Sequence, residues 1–183
     1  MPFKFKAPPS EGELRQGELL ANVVMLRAVM TQDPGTEVQH DVMSTLHPLV
    51  VVLHSDCDLL QDYNTRNSGD HKPGQLVPQV LLCDSFPSSE MRAPQFPGSR
   101  AVKMVTENRD ERYHTLTFDA DPDLHLPESP IYLDFKRTIA IHTEDLYTAL
   151  GSRTTQRVAL IPPRYLHDLM HRFFGYLSRV ATD

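Results

Sequence analysis

The chain has 183 residues, 40% of them hydrophobic, with 15 prolines against 8 glycines. That length is enough for one domain with a real core, and the proline density argues for short strands and stiff turns over a helical bundle. A formal charge of −6 with scattered Lys and Arg weighs against a nucleic-acid binder, whose affinity comes from a basic face; Arg112, Lys136, Arg137, Arg157 and Arg172 would have to assemble any local patch.

Residues 1–13, with Pro8, Pro9, Ser10 and Gly12, read as an extended arm. The first six, Met1-Pro2-Phe3-Lys4-Phe5-Lys6, lack the apolar core of a signal peptide. The segment 17–26 is apolar without a clean period, and its Gly17 start and valines predict a strand. Residues 31–41 carry turn chemistry. The clearest strand is Pro48-Leu49-Val50-Val51-Val52-Leu53, a continuous β-branched run expected to be buried on both faces. It is also the longest aliphatic run and too short to cross a bilayer, so a cytoplasmic protein with no membrane partner is expected. Residues 62–75 read as a mobile loop, 80–83 as a strand, and 85–99 as a loop. Further strands are predicted at 101–105, 113–118 and 131–141. At the C-terminus Leu166, Leu169, Met170, Phe173, Phe174 and Leu177 recur with helical spacing, and Pro162-Pro163 suits the first turn of that helix. All six are expected on one buried face.

Chemistry concentrates in His54-Ser55-Asp56-Cys57-Asp58, at the end of the most buried strand, where a rigid scaffold can present a site. Three readings compete. Cys57 is a nucleophile with His54 or His114 as base. His54 and Cys57 ligate zinc, completed by Cys83 and His40 or His114. Alternatively Cys57 is a small buried residue and Asp56 or Asp58 caps the next turn. Two cysteines in the chain make no disulfide framework. A second cluster, Asn108-Arg109-Asp110-Glu111-Arg112-Tyr113-His114, reads first as a solvated hairpin end. Arg112 and His114 alternate onto one strand face, where they would jointly bind an anion. No phosphate-cradling glycine loop, nucleotide fingerprint, His-Glu-x-x-His or Gly-x-Ser-x-Gly is present. No cofactor and no metal is assigned.

Two segments, Gln16-Gly17-Glu18-Leu19-Leu20 and His47-Pro48-Leu49-Val50-Val51-Val52-Leu53-His54-Ser55, resemble the opening of the MazF/PemK-like toxin barrels. The element Ser55-Asp56-Cys57-Asp58, the helix entry from Arg157 to Pro163 and the closing Ser178-Arg179-Val180 resemble a group of uncharacterised prokaryotic proteins. The toxin resemblance covers about a third of the chain, and a fold likeness is associational evidence for function. It implies a mainly β (α+β) fold, a small SH3-like barrel with insertions and a C-terminal amphipathic helix. The expected layout is one domain, with the arm at 1–13, the barrel at 14–160 and the helix at 161–181. It also implies RNA cleavage or binding to a partner antitoxin. Leu46-His47 replaces the basic residue usual before the Pro-led strand, and the acidic balance favours binding over cleavage. The leading expectation is therefore a toxin–antitoxin or phage-defence component that binds a partner protein. The alternatives are an endoribonuclease using His54, Arg112 and His114, with RNA as its ligand, and a cysteine- or zinc-dependent hydrolase centred on Cys57, with Ser55 and Asp58 beside it.

Overall fold

A computed structural model describes residues 2–31, 39–69, 72–92 and 98–179. The chain runs β1 (Glu18–Thr31), β2 (Gln39–Val52), α1 (Asp56–Ser68), β3 (Gln79–Pro87), α2 (Ser99–Thr106), β4 (Tyr113–Leu116), β5 (Ile131–His142), α3 (Thr143–Gly151), β6 (Gln156–Leu160) and α4 (Pro163–Leu177). The strands form one antiparallel, open sheet of six in the order β4-β5-β3-β2-β1-β6. This is a mostly β, α+β fold.

The aliphatic run behaves as its composition requires. Val50, Val51 and Val52 are fully buried, and they alternate between two cores. Val51 joins Leu19, Leu133, Phe135, Leu169 and Phe173 on the face covered by α4. Val50 and Val52 join Leu20, Leu82, Leu59 of α1 and Leu146 of α3 on the other. A smaller cluster, Phe86, Met91, Val105, Tyr113 and Tyr132, sits under α2.

The arm is not a free tail. Phe3 and Phe5 are buried in the α4-side core, with Phe3 stacked on Tyr165 at 4.2 Å. Its backbone bonds to both edges of the sheet. Lys6 exchanges two 2.9 Å hydrogen bonds with Leu160 of β6, and Asp119, just past β4, donates to the Phe3 carbonyl at 2.8 Å. Gly17 then turns into β1 with φ +80°, a conformation that disfavours side chains, and a Cβ there would lie 2.8 Å from Leu166 of α4.

Several expectations are corrected. Residues 62–68 are the second half of α1, not loop. The buried Asp62 carboxylate holds them, accepting from Arg66 Nε at 2.8 Å and from the Val77 amide at 2.8 Å. Residues 101–105 lie in α2, not a strand. Residues 85–87 continue β3, and 39–41 belong to β2. The rest of the segment read as a turn at 31–41 lies mostly outside the described residues. Helix α3 and strand β6 were not anticipated. In α4, Leu169, Met170 and Phe173 are buried, whereas Phe174 and Leu177 are 60% and 58% exposed. Tyr176, packed on Phe135 at 5.8 Å, takes the place expected of them. Among the described residues no helix is long and apolar enough to cross a membrane.

Candidate functional site

The segment after β2 forms the first turn of α1. Ser55 occupies the N-cap position without a side-chain capping bond. Asp56 fastens the turn that precedes β1. It accepts from Arg15 Nε at 3.2 Å, Arg15 Nη2 at 3.0 Å and the Gln16 amide at 2.6 Å. His54 Nε2 lies 3.9 Å from Asp58 Oδ2. Both line a small cleft of about 200 Å³ against the 74–78 segment.

Cys57 is exposed, which corrects its reading as a buried residue, and Cys83 is buried in β3. The Cys83 thiol donates to the Asp134 carbonyl at 3.3 Å. Burial, and then the Asp134 and Asp84 charges, push that thiol's pKa up, so it stays protonated. Among the described residues no group of three or more His, Cys, Asp or Glu is placed to hold a metal ion. The side chain of His40 lies outside the described residues.

Arg112 and His114 do not act on one face. Arg112 forms a bidentate pair with the buried Asp134 carboxylate, at 2.6 and 2.5 Å, which uses the planar fork that an anion would need. His114 turns the other way, stacking on Phe135 with ring centroids 6.4 Å apart. Burial, reinforced by the Arg172 charge, lowers its pKa to about 3, so the ring is neutral at physiological pH. It lines a cleft of about 480 Å³ between α4 and β4, together with Asp168, His171 and Arg172. Arg172 shapes that cleft by donating to the carbonyls of Asn108 (2.6 Å), Asp110 (2.5 Å) and Tyr113 (2.8 Å). His54 lines the other cleft, so the structure does not gather His54, Arg112 and His114 into one cavity.

Two buried polar groups escaped the sequence reading. His47 Nδ1 meets Asp84 Oδ1 at 2.6 Å, Arg137 reaches the other Asp84 oxygen at 2.9 Å, and His47 Nε2 has no partner. Glu18 is fully buried with Arg157 Nη1 3.2 Å away. Desolvation outweighs that cation and raises the Glu18 pKa to about 7. Glu18 also accepts from the Arg15 amide at 3.0 Å, but the charged partners Asp84, Arg137 and Arg157 lie far along the chain, so local spacing carries no signal of these pairs.

The most distinctive surface is the outer half of the β1–β2 hairpin. At Asn22 the backbone takes φ 59°, a left-handed conformation that Asn tolerates, and there β1 leaves the sheet. β6 pairs with β1 only as far as Ala21, and β3 meets β2 only at Val50–Val52. Beyond, among the described residues, no third strand pairs with them, and they form a ribbon whose register runs from Val23↔His47 to Thr31↔Gln39, its inner end at Val24–Arg27 facing β5 and α3 across a cleft of about 530 Å³. Pairs Val24↔Leu46, Leu26↔Ser44 and Ala28↔Val42 alternate onto one side with Met30. Leu26 is 69%, Met30 73% and Val42 73% exposed. Exposed apolar surface this contiguous is uncommon on monomeric soluble proteins. Comparisons with known protein families, curated proteins and solved structures return no match.

Proposed function

We propose that this chain is a non-catalytic, protein-binding component of a prokaryotic toxin–antitoxin or phage-defence module, built on a MazF/PemK-like, SH3-like barrel. The single observation carrying the binding reading is the apolar stripe on the β1–β2 ribbon. It is exposed, lies on one face and, among the described residues, has no third strand paired beside it. The barrel assignment is supported by the arm, whose backbone bonds to edge strand β6 and to the segment just past edge strand β4 of the open sheet. The module assignment rests on the toxin resemblance. Commitment of Arg112 to Asp134 and the neutrality of His114 favour binding over catalysis.

An endoribonuclease is the second reading, favoured by the α4–β4 cleft, where Arg172, His171 and Asp168 line one concavity. Co-expression with the products of the adjacent genes separates the two. On the binding reading the wild-type chain holds a protein on the ribbon through purification, one of those products or a second copy of itself, and loses it in Leu26→Glu/Val42→Glu. Retention by that double variant, or RNA cleavage abolished by His171→Ala, overturns it.

A further inference from the structure

We infer that the ribbon stripe seats a second copy of this chain, two ribbons lying face to face about a two-fold axis. The inference rests on the protein-binding reading above. A two-stranded ribbon is marginal in water unless its apolar face is covered. Here the paired register continues to Thr31↔Gln39 with, among the described residues, no third strand on either flank. The hairpin therefore reaches out as an element that a partner completes.

Charge selects the occupant. Residues 22–31 and 39–49 contain one arginine, Arg27, one aspartate, Asp41, no lysine or glutamate, and two histidines, His40 and His47. The register places Arg27 and Asp41 on the side away from the stripe, Arg27 opposite Met43 and Asp41 opposite Val29. Counting histidine as neutral, the stripe carries no formal charge on a chain whose formal charge is −6, with His40 opposite Met30 at its outer end. Two copies repel over most of their surfaces, and here they meet without opposing like charges. A nucleic acid or an anionic membrane finds no lysine or arginine on it.

Size and symmetry agree with this occupant. The stripe offers on the order of a few hundred Å² of apolar surface, and a face-to-face pair with its flanks reaches the roughly 1,200 Å² at the low end of stable interfaces. Side chains of two ribbons interdigitate when the sheets are about 10 Å apart. An isologous contact of this kind closes on itself and does not propagate into fibres.

Sedimentation velocity on the full chain, followed through a dilution series, tests the inference. The wild type is expected to sediment as a dimer that dissociates on dilution. Leu26→Glu/Val42→Glu is expected to sediment as a monomer, with unchanged circular dichroism and association weakened at least roughly tenfold. Phe174→Glu, on the exposed side of α4, is expected to remain a dimer. A dimer that survives the ribbon variant, or is lost in Phe174→Glu alone, overturns the inference. A monomeric wild type that still holds a neighbour's product through the ribbon refutes self-association only. A monomeric wild type that holds none refutes the docking reading too.

Discussion

Glu18 and His114 pull the stability of this protein in opposite directions as pH changes. The folded state raises the Glu18 pKa from 4.5 to about 7, so it binds that proton more tightly than the unfolded chain does. The contribution is complete below pH 4.5 and is lost as pH rises through 7, a swing of about 3 kcal/mol. His114 falls from 6.5 to about 3, so its contribution is complete above pH 6.5 and drains away as pH falls toward 3. Between pH 4.5 and 6.5 the two slopes largely cancel. Thermal melts across this window should expose each half: Glu18→Gln becomes acid-sensitive, and His114→Phe becomes more stable as pH falls from 7.5 to 5. Parallel pH profiles for wild type and both variants would contradict these assignments. None of this was legible in the sequence. Arg112 and His114, two positions apart, predicted a shared face, but Asp134, 22 residues away, captures the guanidinium. Asp62 gave no local sign that its carboxylate would be buried, because its amide partner is on Val77.

Elements were legible where burial is two-sided and illegible where a polar partner holds them. The run through Val51 declared itself because both faces must be apolar. Helix α1 did not, since its later residues are Asn, Thr, Arg and Ser, and its anchor is Asp62 with Arg66. Helix α2 has so few residues that a short apolar run reads equally as strand. Helix α4 was placed correctly, yet its apolar stripe continues past what the sheet covers, leaving Phe174 at the flank and Leu177 in the last turn exposed. Substitutions along α4 should follow this division. Leu169→Ala, at a site with no exposure, is expected to cost about 2–5 kcal/mol. Phe174→Ala is expected to change stability by no more than about 0.5 kcal/mol in the dilute protein. Equal losses in chemical denaturation would mean that Phe174 is covered within the monomer.

At the scale of the molecule, one sheet does two jobs. Its inner half is buried on both faces by α1 and α3 on one side and α4 on the other, with the arm bonding to edge strand β6 and to the segment just past edge strand β4. Its outer half, past Asn22, has no further pairing to β3 or β6 among the described residues and exposes a stripe free of Lys, Arg, Asp and Glu. The arm's Phe3 and Phe5 looked like part of a tail because their partners, Phe118 and Tyr165, lie more than a hundred residues on. The ribbon's open edges depend on where β3 and β6 stop pairing, which no local pattern encodes. Burying the stripe against a second ribbon should slow exchange of the amides it shelters, while the inner sheet is already protected. Hydrogen exchange measured through a dilution series tests this most directly. Protection across 23–30 and 41–48 that falls on dilution, with the inner sheet and α4 unchanged, is the expected result. Exchange in the ribbon that does not vary with concentration, or protection that appears on α4 instead, would contradict it.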